Sequence, residues 1–127
     1  MPNPPKDKTN GKRRIMRLIE PSIHQMGFLK HRQFGYVRPQ PDKSEWRLLL
    51  SVPTHDCVYR ICPSIMHADG STILGPSSNA YEAPNSPNNT RYNFRFHVDA
   101  DTHDRCAKNI LQWLNEVAFP WFRSQSN

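Results

Sequence analysis

Hydrophobic residues near the start of the chain recur every three or four positions, which is the spacing of one helical face. They are Ile15, Met16, Leu18, Ile19, Ile23 and Met26. The pattern predicts a first helix that starts at Arg13 and is closed by Gly27, a residue that tolerates the left-handed conformation of a helix end. Pro21 lies inside this helix, so we expect a kink there or two shorter helical turns.

The middle of the chain has short apolar or alternating runs bounded by turn residues, which is typical of strands. These runs cover residues 34–37, 46–52, 58–66 and 72–74. Proline cannot donate to a strand ladder, so Pro63 predicts an edge position or a bulge. Residues 91–98 show the most regular alternation, with Tyr92, Phe94, Phe96 and Val98 on one side and polar residues on the other, and they predict a half-buried strand.

A second helical pattern closes the chain. Its apolar stripe consists of Ala107, Ile110, Leu111, Leu114, Val117 and Ala118. Asp101 is the predicted N-cap, and Asp104 adds a second carboxylate where the helix dipole favours one. Pro120 is expected to stop the helix at about Phe119.

Together the patterns predict an α+β fold, in which a mostly antiparallel sheet of about four or five strands carries an N-terminal and a C-terminal helix on one face. A chain of 127 residues has the length of a single domain, which we assign to residues 13–122. Residues 1–12 are nearly free of apolar side chains and predict a flexible basic arm. Residues 75–89 predict a long polar loop, and residues 123–127 a tail.

Several short motifs occur in the order of a known family. They are Gly27-Phe28, then Lys30 and Arg32, an aromatic-alternating strand, further sheet, and a last helix that ends in Phe119-Pro120-Trp121. Over residues 15–122 the chain resembles the bacterial family called domain of unknown function 4304. The resemblance implies an antiparallel sheet packed on helices and carries over no catalytic residue.

Positive charge is concentrated in the first part of the chain. The formal net charge is +6, and eleven of the 17 basic residues precede position 48. Such a distribution attracts nucleic acid, an anionic surface or an acidic protein, although a short basic arm can also be simply solvated. No apolar run approaches the roughly 18 residues that a membrane span requires, so we predict no membrane association.

The three cysteines, Cys57, Cys62 and Cys106, are an odd number, and no apolar signal segment precedes them. This favours a cytoplasmic protein. Cys57 and Cys62 could join His55 and His67 in a zinc set, but a strand would place the two thiols on opposite faces. We therefore predict no metal and no cofactor.

A cluster of cationic side chains is the candidate ligand site. Arg91, Arg95 and His97 share one side of the last predicted strand, and Arg47 and Arg60 lie on other predicted strands. If these side chains converge, they form an anion-binding patch. The alternative is a solvated sheet face crossed by salt bridges.

No catalytic motif occurs in the sequence, so we predict a non-enzymatic binding module of the immunity-protein or adaptor type. Its expected partner is a protein, and Tyr81, Trp121 and Phe122 are the candidate contact residues. The oligomeric state stays open.

Two other functions are kept as alternatives. One is nonspecific binding of nucleic acid or another anion through the basic arm and the face with Arg91 and Arg95. The other is a small cysteine-dependent hydrolase, with Cys57 or Cys62 as nucleophile and His55 or His97 as base.

Overall fold

A computed structural model of the chain describes residues 5–81 and 92–125. In chain order the elements are α1 (Pro5–Gln25), β1 (Leu29–His31), β2 (Gly35–Pro39), β3 (Glu45–Ser51), β4 (Arg60–Met66), β5 (Thr72–Leu74), a 3-10 turn (Ser78–Tyr81), α2 (Ala100–Trp113), a π-turn (Leu114–Ala118) and α3 (Phe119–Gln125). The predicted α+β class is confirmed: the chain forms an N-terminal helix, then an antiparallel sheet, then a C-terminal helix.

The five strands form an antiparallel meander in the order β1-β2-β3-β4-β5. Pro63 lies in β4, between two neighbouring strands, rather than on an edge strand. Its carbonyl accepts a hydrogen bond from the Gly75 amide, one residue past the end of β5. A residue's N–H and C=O point to the same side in an antiparallel ladder, so the missing donor faces the end of β5 and costs β3 no bond.

One face of the sheet packs on the helices and forms the core. Trp46, Leu48 and Ile61 are buried on this face, against an α1 stripe that includes Ile15 and Ile19. Apolar side chains at this spacing bury one face of the helix and one face of the sheet together. The opposite face, called the outer face here, carries Arg47, Leu49 and Cys62 and has no helix of the described chain on it.

The first helix begins at Pro5, so the predicted flexible arm is wrong from that residue onward, and residues 1–4 lie outside the described part. Lys8 Nζ donates to the carbonyls of Pro53 and Thr54, at 2.6 and 3.0 Å. Gly11 is buried, and a Cβ added there would lie 2.8 Å from the Phe96 ring. Residues 5–12 therefore pack on the rest of the protein through Lys8 and Gly11. Neither is a large apolar residue, so the hydrophobic pattern does not predict this contact.

Residues 92–98 are not a sheet strand, which corrects the prediction for 91–98. They form one isolated bridge, Val58 to Arg95, with hydrogen bonds from Tyr59 N–H to Phe94 O and from Phe96 N–H to Cys57 O. The alternation still places Tyr92, Phe94 and Phe96 in the core. Val98, predicted on the same side, is instead 50% exposed. A period of two therefore predicted the burial of the three aromatic side chains, but neither the exposure of Val98 nor the backbone with which the segment pairs.

The closing helix differs from its prediction at both ends. Its N-cap is Asp99 rather than Asp101, and Thr102 Oγ1 donates to the Asp99 carbonyl at 2.7 Å. Pro120 does not end the helix, because the π-turn of residues 114–118 widens the backbone just before it. The helix continues to Gln125, so residues 123–125 are not a tail, and residues 126–127 lie outside the described part.

The predicted polar loop is anchored at its start. Gly75 packs against Trp121, and the hydroxyl of the buried Ser78 accepts the Ile61 amide hydrogen at 2.8 Å. Residues 78–81 form the 3-10 turn, and residues 82–89 of the predicted loop lie outside the described residues.

Candidate functional site

Arg47 and Arg60 both lie on the outer face of the sheet but far apart along the ladder. Arg47 pairs opposite Ser64, and Arg60 pairs opposite Ser51 at the other end of β3. The Arg47 guanidinium binds the Glu45 carboxylate at 2.8 Å and lies 3.6 Å from the centre of the Phe34 ring. Its charge is therefore neutralised by a neighbour on the same strand.

Arg95 and His97 lie on the segment that bridges to Val58, away from the five-stranded sheet. Arg95 forms an ion pair with Asp56 at 2.9 Å. His97 is exposed, and its carbonyl accepts a hydrogen bond from His103 Nε2 at 2.6 Å. Arg91 lies outside the described residues. Two described members of the predicted anion patch are therefore paired with carboxylates, Arg47 with Glu45 and Arg95 with Asp56, in different parts of the structure.

The three predicted partner-contact residues also separate. Phe122 is fully buried and stacks on Trp46 with ring centres 4.9 Å apart, so its assignment to a partner surface is wrong. Tyr81 packs edge-on against Tyr92 and Trp113. Trp121 is half-buried against Gly75. The aromatic end of the closing helix therefore packs on the core through Phe122.

The cysteines are thiols in three environments. Cys106 is buried with its Sγ 3.2 Å from the Phe94 carbonyl, Cys57 is half-buried, and Cys62 is exposed on β4 opposite Leu49. Within residues 5–81 and 92–125, no three metal-ligating side chains come together.

Five cationic side chains line a groove between α1 and β1. We call it the α1–β1 groove. Two adjoining concavities of about 490 and 340 Å³ form it, and both are lined by Lys12, Met16, Glu20 and Lys30. Its five cations are Lys12, Arg13 and Arg17 from α1, Lys30 from β1, and Arg32 from the turn after β1.

Helical periodicity explains how α1 presents these side chains. Residues 12, 13, 16, 17 and 20 fall on one face, while Gly11, Ile15, Ile19 and Ile23 fall on the adjacent face and enter the core. The core face fixes the rotation of the helix. Once it is buried, the basic face must line the groove.

The five cations of the groove are not neutralised within the described structure. None of them forms an ion pair with a described carboxylate, whereas the neighbouring Arg14 pairs with Asp104 at 3.0 Å. The one carboxylate in the groove, Glu20, accepts a hydrogen bond from the Tyr36 hydroxyl at 2.5 Å. A cluster of like charges around one concavity creates a positive potential that attracts an anionic group.

Two tyrosines form the floor of the groove. The Tyr59 hydroxyl donates to the Lys12 carbonyl at 3.3 Å and supports the helix from below. Burial raises the pKa of Tyr59, and burial together with the hydrogen bond and charge of Glu20 raises the pKa of Tyr36. Both phenols are therefore neutral at physiological pH and add no negative charge to the groove.

The sequence indicates the basic region, but its patterns predict the anion-binding site at other residues. The charge count pointed to the first part of the chain, yet Lys12 was placed in a flexible arm, and Lys30 and Arg32 entered only as family-like motifs. The missing observation was that basic positions 13 and 17 share a helical face four residues apart, beside a short edge strand.

Comparison with protein-family models, curated proteins and solved structures gives no match, so the resemblance to the domain of unknown function 4304 stays a prediction. Among the helices that the structure describes, none combines the length and the apolar character needed to cross a bilayer.

Proposed function

We propose that this protein is a non-enzymatic binding module that recognises an acidic segment of a protein partner in the α1–β1 groove, in the manner of an adaptor or immunity protein. The observation that carries the proposal is the set of five cations along two adjoining concavities, none of them in an ion pair with a described carboxylate. Like charges that line the same groove repel one another, and an acidic ligand relieves that repulsion.

The composition of the groove favours a protein over single-stranded nucleic acid. Tyr36 and Tyr59 are only 3% and 2% exposed, so neither ring offers a face on which a base could stack. Met16, Leu49 and Leu50 also line the groove and suit the apolar side chains of a peptide.

We place this interaction in the cytoplasm. The support is that all three cysteines are thiols, a state that a reducing compartment preserves.

The test uses two labelled probes, a short peptide of alternating glutamate and valine and a short oligouridylate. Fluorescence anisotropy at low salt measures the Kd of each probe for the full chain. We expect the peptide to bind more tightly than the RNA, and Arg13→Glu/Arg17→Glu to weaken peptide binding by about tenfold or more, because two attractions become repulsions.

The matched control is Lys108→Glu/Arg123→Glu, which changes the net charge equally at two exposed positions outside the groove. It should leave the peptide Kd within about twofold of the wild-type value. The proposal fails if both double variants weaken binding to the same extent, and tighter binding of the RNA would instead support the nucleic-acid alternative.

A further inference from the structure

β1 is an edge strand of the sheet that the described residues form. In the described sheet it pairs only with β2, through Leu29 to Val37, Lys30 to Tyr36 and His31 to Gly35. All three residues of β1 are exposed, and Leu29 keeps 65% of its surface in contact with solvent. Backbone groups on the free side of such a strand are available to pair with another extended chain.

The α1–β1 groove meets this edge at Lys30, which lines both of its concavities. Lys30 shares the sheet side of its pairing partner Tyr36, which is the side on which α1 packs. A strand added to β1 would follow the same pleat, so every second side chain would point toward the cations of α1. The intervening side chains would point to the outer face, beside the exposed Leu29.

Charge decides which chain can occupy this edge. Lys30 in β1 and Arg32 just after it repel the same edge of a second copy, in a protein whose net charge is +6. An acidic chain experiences the opposite force. The other edge strand, β5, has the sequence Thr72-Ile73-Leu74 and no charged residue, so it offers an acidic segment no such attraction.

We infer that the acidic partner segment binds as an additional β-strand on the free edge of β1, with alternate acidic side chains facing Lys12, Arg13 and Arg17. This inference rests on the function proposed above and adds the conformation and register of the ligand. Backbone hydrogen bonds to β1 would supply affinity, and the alternating charges would fix the register, because a one-residue slip would turn the acidic side chains away from α1.

The experiment methylates the backbone nitrogens of the alternating glutamate–valine peptide. One peptide carries N-methyl groups on its glutamates and the other on its valines. Alternate amides of a strand point in opposite directions, so only one set can face β1. We expect one methylated peptide to bind with a Kd at least about tenfold weaker than the parent peptide, while the other binds within about threefold of it.

A second peptide of the same composition, with glutamates and valines in adjacent pairs, tests the alternation. It places only half of its carboxylates toward α1 and should bind about tenfold more weakly than the alternating peptide. Amide chemical-shift changes on titration with the parent peptide should be largest at Leu29, Lys30 and His31 and small at Thr72, Ile73 and Leu74.

The possible results separate this inference from the proposed function. Absence of peptide binding would contradict the proposed function and the strand addition together. Binding that depends on Arg13 and Arg17 but tolerates both methylated peptides equally would leave the proposed function intact and overturn the strand addition. Shift changes at β5, or self-association of the protein through β1, would also overturn it.

Discussion

Tyr36 and Tyr59 differ from ordinary tyrosines because they hold buried hydroxyl groups beneath a basic groove. Burial is the main cause that raises the pKa of both phenols, and Glu20 raises that of Tyr36 further. The folded protein therefore retains these protons to higher pH than the unfolded chain does. A raised folded-state pKa stabilises the fold below the unfolded value, and this stabilisation is lost as the pH rises above about 10.

Above about pH 10 the free energy of unfolding should fall by up to about 1.4 kcal/mol per pH unit for each of these phenols. Tyr59→Phe removes one of them at the cost of a single long hydrogen bond, to the Lys12 carbonyl. Urea unfolding of this variant should show a shallower loss of stability between about pH 10 and 11 than the wild-type protein. Lysine deprotonation affects both proteins equally, so parallel pH curves would contradict the prediction.

The N-terminal part of α1 is an element whose packing depends on one glycine. Gly11 lies against Phe96 and His103, where a Cβ would come within 2.8 Å of a ring carbon and 3.0 Å of Nε2. In an isolated helix, Gly→Ala is stabilising by up to about 1 kcal/mol. At Gly11, helix propensity therefore favours alanine, whereas the contacts of an added Cβ oppose it. The contact distances indicate that the steric effect is larger.

Gly11→Ala should lower the free energy of unfolding by about 1 to 2 kcal/mol, because overpacking of this kind outweighs helix propensity. Asn10→Ala, at an exposed position of the same helix turn, should be neutral or slightly stabilising and serves as the control. Urea denaturation measures both changes. If Gly11→Ala stabilises the protein, residues 5–12 do not dock in solution.

The π-turn between α2 and α3 allows the helix to continue through Pro120. The Phe119 amide donates to Leu114 O, five residues back, and Pro120 follows immediately. Proline in a regular helix lacks a donor and clashes with the carbonyl four residues earlier, which here belongs to Glu116. The wider turn removes that clash and adds one residue to the helix, so the faces of α2 and α3 both stay in contact with the core.

Deletion of the exposed Asn115 should convert the π-turn into regular helix and force Pro120 into a helix interior. We expect this deletion to lower the free energy of unfolding by about 3 kcal/mol. Combining it with Pro120→Ala should restore most of the loss, which thermal and urea unfolding would measure. Equal destabilisation with and without proline at this position would show that the turn has another cause.

Elements with a repeated pattern were predictable from the sequence, and elements defined by a single contact were not. The isoleucine stripe of α1 and the apolar stripe of α2 predicted both helices, because each buries one face over several turns. β1 has three residues, too few for any periodicity. The π-turn does not interrupt the amphipathic pattern, so the sequence does not predict it. The structure shows it, because the helix continues beyond Pro120.

The candidate site was harder to predict than the fold for a related reason. The charge asymmetry of the chain indicated the region that contains the α1–β1 groove, but a basic residue carries no information about its partner. Arg47 and Arg95 were expected to bind a ligand and instead pair with Glu45 and Asp56. The spacing of Arg13 and Arg17 places them on one helical face, but only the packing of α1 beside β1 brings them to one groove with Lys30.

At the scale of the whole molecule, the α1–β1 groove brings together five cations that repel one another, and the rest of the fold offsets this repulsion. Arg13 and Arg17 are four residues apart on one helix, a spacing at which like charges destabilise a helix by about 0.2–0.5 kcal/mol. Arg14, between them, instead pairs with Asp104 across the α1 and α2 helices. The neighbouring arginines therefore have opposite expected effects on stability, although each carries the same charge.

Arg13→Gln/Arg17→Gln should raise the free energy of unfolding by about 0.5 kcal/mol at low salt, because it removes repulsion from Lys12 and Lys30 as well as between the two arginines. Arg14→Gln removes one positive charge but also an ion pair, so it should be neutral or slightly destabilising. Denaturation midpoints at low salt and at about 1 M salt measure this, since screening should abolish the gain of the double variant. A gain that persists at high salt would show that the groove cations do not repel one another, and would remove the energetic reason for expecting an acidic ligand there.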